Sequence, residues 1–265
     1  MKNEKWMIML KGLIVGGTMM VPGVSGGTMA MILGIYDQLI QAISSFGKYP
    51  KQNLAMLVRF VIGAGIGIFL FSAPLSWMLE HYEMPVLFFF IGAVFGGIPM
   101  IQRKSQTEKL TLDVILYMAA GVAIVFAISA IPANRIVVRG NMWNLLLIGG
   151  VSAVALILPG ISISHWFLIL GLYEEVLQAV HLLDITFLVP LGAGVLLGTV
   201  LFSRLLEWVM EKYPKATYLV ILGFILGSVA SIFPGIPSGI QIVLCAGMAI
   251  SGFLLIYKSS QNASN

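Results

Sequence analysis

The sequence predicts an all-α polytopic membrane protein made of two inverted-topology repeats, each a re-entrant helical hairpin followed by three transmembrane helices. Hydrophobic residues make up 59% of the chain and charged residues 10%, and the mean hydropathy is +0.99. The apolar runs are as long as membrane-spanning helices and lack the alternation of strands. One motif occurs twice at a fixed separation, and the basic residues gather on one side of the predicted topology.

The first motif region, about residues 12–45, contains the string VPGVSGGTMAMILGIY. Proline lacks an N–H group and glycine relaxes the backbone limits, so Pro22-Gly23 predicts the tip of a hairpin. Ser25 follows where the N-cap of the next helix belongs. The first N–H groups of that helix would form an anion site, and the glycines after Ser25 would let an oxyanion approach closely. The residues predicted to form this site are Pro22, Gly23, Ser25, Gly26, Gly27 and Thr28.

The second motif region, about residues 144–182, repeats the pattern as LPGISISHWFLILGLY, 137 residues further on. His165 takes the place of Thr28. An ionisable residue within an apolar run is a functional candidate, and histidine titrates near neutral pH, so His165 is the candidate carrier of a coupling proton. The residues predicted to form this half of the site are Pro159, Gly160, Ser162, Ser164 and His165.

Three apolar runs follow each motif region and predict the transmembrane helices. They cover about residues 54–79, 84–101 and 111–132 in the first repeat (1–135), and 185–210, 216–234 and 239–257 in the second (136–265). Matches between the runs share a separation of 131 residues, among them Gly63 with Gly194 and Gly67 with Gly198. Glycines four residues apart put small residues on one helix face, so we expect close helix packing there.

The basic residues predict the orientation. If each motif region enters and leaves on one side, thirteen lysines and arginines lie on one side, and only Arg135 and Arg139 lie on the other. The positive-inside rule then puts both termini in the cytoplasm. Because three spans per repeat is an odd number, the second repeat is inverted, and the two hairpin tips approach each other from opposite faces.

This arrangement predicts a transporter. Helices broken at corresponding positions of two halves are the best sequence pointer to a transporter's binding site, and two facing tips would hold one phosphate group near the midplane. Four other ionisable residues are lower-ranked binding candidates. Arg59 and Arg204 lie inside apolar runs, where arginine extends to lipid headgroups, and Asp37 and Glu174 lie in the hairpin arms near the interface.

Several other functions are not indicated by the sequence. It contains no metal-ligand cluster, P-loop, CxxC motif or nucleophile triad, so we predict no cofactor and no metal. The net charge of +4 follows from the topology and does not indicate a nucleic-acid partner. The expected partners are a lipid that carries a phosphate, the surrounding membrane lipids, and a coupling proton or cation.

The strings PGVSGGT and LGIY, with the second PGIS and LGLY, resemble the PopT-type polyprenyl-phosphate transporters, a family formerly described only as a domain of unknown function. The resemblance covers essentially the whole chain. It implies return of undecaprenyl phosphate to the inner leaflet of a bacterial or archaeal cytoplasmic membrane, for reuse in cell-envelope synthesis. The chain departs from the family pattern at Met19, Ile163 and His165, which leaves the coupling ion open.

Two alternatives remain open at this point. Undecaprenyl-pyrophosphate phosphatases also combine inverted repeats with a PG-x-S tip, but they carry an arginine after the serine, where this chain has Gly26 and Ile163. Phosphoryl transfer requires positive charge on the developing oxyanions, and the sequence offers none near the tips. The other alternative is a secondary transporter or channel for a small anion.

Overall fold

The computed structural model describes residues 2–21, 23–107, 109, 111–132 and 141–262. In these ranges the secondary structure is entirely helical, as expected. The helices are α1 (Lys2–Thr18), α2 (Gly26–Ile32), α3 (Tyr36–Ser44), α4 (Pro50–Lys104), α5 (Leu112–Ser129), α6 (Met142–Ile157), α7 (Ile163–Ile169), α8 (Tyr173–Leu182), α9 (Ile185–Lys212), α10 (Pro214–Ile232) and α11 (Gln241–Asn262).

Each motif region forms three helices rather than two arms. The first begins at Lys2, ten residues before the predicted start, and the arm after the tip is itself divided into α2 and α3. The division falls at Gly34, whose φ is +68°, and Gly171 divides α7 from α8 in the same way with φ +67°. At both places the two amides after the helix bond back to its last turn, which is the glycine-dependent Schellman ending. The repeated L-G-I-Y and L-G-L-Y strings carry this signal.

Among the described residues, five helices are long and apolar enough to span a membrane: α4, α5, α9, α10 and α11 up to Ser260. The chain is therefore a multi-pass membrane protein. The predicted runs 54–79 and 84–101 both lie in α4, which has 55 residues and would measure about 80 Å if straight. Its backbone leaves the helical region at Tyr82, with φ −139° and ψ 43°, so α4 consists of two helical segments. The equivalent Tyr213, with φ −130° and ψ 57°, separates α9 from α10.

The paired glycines pack helices closely, as predicted. A Cβ atom on Gly67 would lie 2.0 Å from the carbonyl oxygen of Leu13, so the first segment of α4 contacts the backbone of α1. A Cβ atom on Gly194 would lie 2.0 Å from the carbonyl oxygen of Leu146, which places α9 equally close to α6. No side chain fits between these helices, and glycine is required on both seams.

The last long helix of each half, α5 in the first and α11 in the second, packs against a helix of the other half. Gly92 in the second segment of α4 contacts the backbone of Ala249 in α11, and Gly223 in α10 contacts that of Met118 in α5. The two halves are therefore interlocked. The buried core lies between them, and α2 is at its centre, with Met31 and Ile32 fully buried.

Candidate functional site

The two predicted hairpin tips have the same backbone conformation. Gly23 has φ +81° and Gly160 has φ +82°, a region that favours glycine, so the repeated glycine is required by the turn itself. Pro22 lies outside the described residues. Its counterpart Pro159 is almost completely buried.

Serine occupies the N-cap position after each tip, as predicted, but the predicted capping bond is absent. Ser25 and Ser162 both have extended backbone angles, and the structure gives neither hydroxyl a hydrogen bond to an N–H group of the following helix. Those helices have only seven residues each, so the N–H groups themselves, rather than a long helix dipole, define the polar character of the tips. Both hydroxyl groups are left available to a ligand.

The structure brings the two tips into direct contact, although they are 137 residues apart in sequence. The amide of Gly160 donates a hydrogen bond of 2.9 Å to the hydroxyl oxygen of Thr28. The hydroxyl of Tyr36 donates a buried bond of 3.0 Å to the carbonyl of Ile157, at the end of the helix that leads to the second tip. A Cβ atom on Gly27 would lie 3.1 Å from that same carbonyl oxygen.

These contacts give Thr28 and Gly27 structural roles that the sequence did not predict. Thr28 supports the second tip and does not line the cavity described below, and Gly27 is a spacer between the tips. Gly26 is different because its nearest neighbour is the flexible Met19 side chain, 2.9 Å from an added Cβ atom. Of the two glycines, only Gly26 has a side chain, which can move aside, as its nearest neighbour.

A cavity of about 750 Å³ lies between the tips. Residues of both motifs line it, and it extends along apolar side chains of α1, α3, α5, α6 and α7. Its described lining contains no lysine, arginine, aspartate or glutamate. The motif residues in the lining are Gly23, Ser25, Gly26, Gly27, Gly160, Ser162, Ser164 and His165.

His165 lies in this cavity wall, where its Nε2 atom is buried and has no hydrogen-bond partner among the described residues. The hydroxyl oxygen of Thr199, also in the lining, is buried and unpartnered in the same sense. The cavity wall therefore holds polar atoms that a ligand or water could satisfy.

Sequence reasoning missed several polar residues of this wall. Tyr36 and Tyr173 stand at the end of the repeated motif, so their pairing in the sequence was a usable signal. The others come from helices with no repeated polar pattern and gave no signal. They are Ser129, Thr199, Ser228 and Ser231.

The four lower-ranked ionisable candidates lie outside the cavity. Asp37 accepts hydrogen bonds from Lys104 (2.5 Å) and Tyr218 (2.9 Å), which fixes the start of α3. The side chain of Arg204 donates to the carbonyl of Ser44 at the other end of α3. The remaining two are the half-buried Arg59 and the exposed Glu174.

The fold and the cavity define a class: a polytopic helical membrane protein with a neutral, largely apolar cavity between two broken helices, the arrangement typical of transporters. The family described as undecaprenyl phosphate translocase-like matches residues 15–244. The chain belongs to this family.

Two curated relatives are similar over most of the chain. The polyprenyl-phosphate transporter of Vibrio cholerae serotype O1 is 33% identical over 239 residues, which cover 85% of this chain and 76% of the relative. The polyprenyl-phosphate transporter of Staphylococcus aureus is 30% identical over 255 residues, which cover 91% of this chain and 90% of the relative. No solved structure matches significantly.

Proposed function

We propose that the protein is a transporter that moves polyprenyl phosphate, in particular undecaprenyl phosphate, across the cytoplasmic membrane. The observation that carries this proposal is the cavity lined by both Pro-Gly-x-Ser motifs, in a chain of the undecaprenyl phosphate translocase-like family. The names of the two curated relatives support the same substrate class.

The phosphate headgroup binds between the tips, where hydrogen-bond donors converge without fixed charge. The hydroxyls of Ser25 and Ser162 make no cap bonds, and the first N–H groups of α2 and α7 have no partner within those helices. Beside these groups, the nearest neighbour of Gly26 is the flexible side chain of Met19, which can move aside for a ligand. Because no lysine or arginine lines the described cavity, the headgroup is held by hydrogen bonds alone, which favours release as well as binding.

The polyprenyl chain follows the apolar part of the cavity into the lipid. This part of the cavity is lined by Val15, Leu39, Phe60, Val125 and Ile128. They belong to helices of different segments, so the path is a gap between helices rather than a closed pocket. A long hydrocarbon chain can remain in lipid through such a gap while the headgroup crosses.

The proposed architecture is the pair of inverted repeats described above, with re-entrant hairpins and both termini in the cytoplasm. Matching backbone angles at the two tips, at Gly34 and Gly171, and at Tyr82 and Tyr213 support the duplication. Contacts also support the predicted topology. Lys215 and Asp113 both lie on the basic side in that topology, and they form an ion pair of 2.5 Å.

Catalysis of phosphate release is the main competing function. A phosphatase requires a cation beside the phosphate and a nucleophile or activated water. The described cavity wall contains serines and His165, but no lysine or arginine that would stabilise the charge of the transition state. We therefore assign transport without hydrolysis, with His165 as the proposed site of a coupling proton.

The decisive experiment uses purified protein in liposomes that contain undecaprenyl phosphate in both leaflets. An added phosphatase that cannot enter the liposomes hydrolyses only the outer pool unless lipid is transported. We expect the wild-type protein to expose the inner pool. Gly26→Leu, whose side chain would displace Met19 and obstruct the tip, should prevent this. An entrapped dye controls for leakage.

Two further arms of this experiment separate the alternatives. Release of inorganic phosphate from undecaprenyl pyrophosphate by the protein alone would identify a phosphatase. Uptake of labelled inorganic phosphate without exposure of the inner lipid pool would identify a small-anion transporter. Either result would contradict the proposed function.

A further inference from the structure

The hydrogen bonds between the two tips are not symmetric, although the residues that make them have counterparts. In the first half, Thr28 accepts from the amide of Gly160, and Tyr36 donates to the carbonyl of Ile157. Equivalent positions in the two motifs are 137 residues apart, so His165 is the counterpart of Thr28 and Gly23 is the counterpart of Gly160. In the same way, Tyr173 corresponds to Tyr36 and Met20 corresponds to Ile157.

The counterpart groups are in place but, among the described residues, are not bonded to each other. His165, Gly23, Tyr173 and Met20 all line the cavity. The Nε2 atom of His165 is buried and has no partner in the described part of the chain, while its counterpart Thr28 is bonded and only 3% exposed. One set of tip contacts is therefore made, and the equivalent set is open.

The arms of the two hairpins show the same difference. In the first half, α3 is attached to the second half at both ends, through Asp37 to Tyr218 and through the hydroxyl of Ser44 to Glu207 at 2.5 Å. In the described part of the chain, α8 packs on α7 and α9 of its own half and has no comparable contact with α4.

Burial follows these contacts. Ile40 in α3 is 4% exposed, whereas its counterpart Leu177 in α8 is 53% exposed. Met31 in α2 is completely buried, whereas its counterpart Leu168, in the cavity wall, is 37% exposed. The first hairpin is closed against the second half, and the second hairpin is not closed against the first.

We infer that the protein alternates between two states by exchanging these contacts between its halves. In the second state Tyr173 donates to the carbonyl of Met20, and Nε2 of His165 accepts from the amide of Gly23. The bonds of Tyr36 and Thr28 then break. This inference rests on the inverted-repeat arrangement of the proposed function.

The physical argument is the near-equivalence of the two sets. If each half adopts the present conformation of the other, the contacts in the second state are similar to those in the first, so neither state is strongly favoured. Because the halves are inverted, the cavity in the second state opens to the opposite face of the membrane. The observed structure is closed on the side of the first hairpin and open on the side of the second. With the termini in the cytoplasm, it is the outward-facing state, and Tyr36 is a positioning residue that holds it.

The test measures state populations with thiol reporters and requires no lipid substrate. With Cys245 changed to Ala, Met31→Cys reports the second state, because residue 31 is buried in the observed one. Leu168→Cys reports the observed state. Rates of reaction with a membrane-impermeant maleimide, applied to each face of proteoliposomes, give the two populations.

The matched variants are Tyr36→Phe and Tyr173→Phe, which remove the same hydroxyl from equivalent positions. Tyr36→Phe should raise the ratio of the reaction rate at position 31 to that at position 168 about fivefold, the effect of one buried hydrogen bond on a population ratio. Tyr173→Phe should lower that ratio by a similar factor. Thr28→Val should act in the direction of Tyr36→Phe.

The double variant distinguishes exchange from loss of stability. If the two bonds belong to opposite states, combining both phenylalanines returns the rate at position 31 close to its original value, whereas two destabilising changes would add. Equal shifts in the same direction, or no shift, would overturn the inference. Opposite shifts in a protein that fails to transport undecaprenyl phosphate would support the exchange and contradict the proposed substrate instead.

Discussion

Gly160→Ala tests whether the second tip depends on close contact with α10. Gly160 has φ +82°, and a side chain in this left-handed region costs about 1–2 kcal/mol. Its Cβ atom would also lie 2.3 Å from the carbonyl oxygen of Phe224, whereas ordinary contact begins at 3.4 Å. The tip or α10 must move by about 1 Å, and such overpacking costs about 1–3 kcal/mol. The expected total is about 2–5 kcal/mol.

Gly239→Ala is the matched control. Gly239 also has a positive φ, +57°, but a Cβ atom there meets nothing within 4 Å. This variant should lose only the conformational part, about 1–2 kcal/mol. The assay is thermal unfolding in detergent, followed by tryptophan fluorescence, with lipid transport measured in parallel.

The two variants should also differ in function. The amide of Gly160 donates to Thr28, so a 1 Å displacement is enough to break a bond that joins the tips. We expect Gly160→Ala to reduce transport strongly and Gly239→Ala to leave it near the original rate. Equal losses of thermal stability in the two variants would refute the reasoning, because the contact with α10 would then contribute nothing.

Three further predictions concern the site and the topology. Ser25→Ala should change the free energy of unfolding by less than about 0.5 kcal/mol, because its hydroxyl makes no cap bond; a loss near 1 kcal/mol in chemical denaturation would show that the cap forms. His165→Gln should reduce transport, because glutamine cannot carry a proton, and transport at the original rate would exclude this residue as the proton carrier. With Cys245 changed to Ala, Met142→Cys should react with an impermeant thiol reagent on intact cells and Gln102→Cys should not; the reverse pattern would invert the topology.

Features that depend on neighbours in sequence were predictable. The apolar runs predict membrane helices because each run must satisfy its own backbone in lipid. Pro-Gly predicts the tips, and the structure gives both tip glycines the left-handed backbone that makes glycine necessary. The spacing of Gly63 and Gly67 predicts a close helix seam, since residues four apart share one face. Even the missed break at Gly34 had a local signal, a glycine followed by a hydrophobic residue.

Features that depend on pairs of residues far apart were decided only by the tertiary structure. The sequence could not show that Thr28 bonds to the amide of Gly160 or that Gly27 lies close to the carbonyl of Ile157. From the sequence, Asp37 is expected near the membrane interface at the end of a hairpin arm, yet its carboxylate is bonded to Lys104 and Tyr218. Local sequence determines the conformation of each tip, but the partner of a polar group depends on which helices meet. The two motifs are similar in sequence, and only the tertiary structure shows that Ile40 of α3 is buried whereas Leu177 of α8 is exposed.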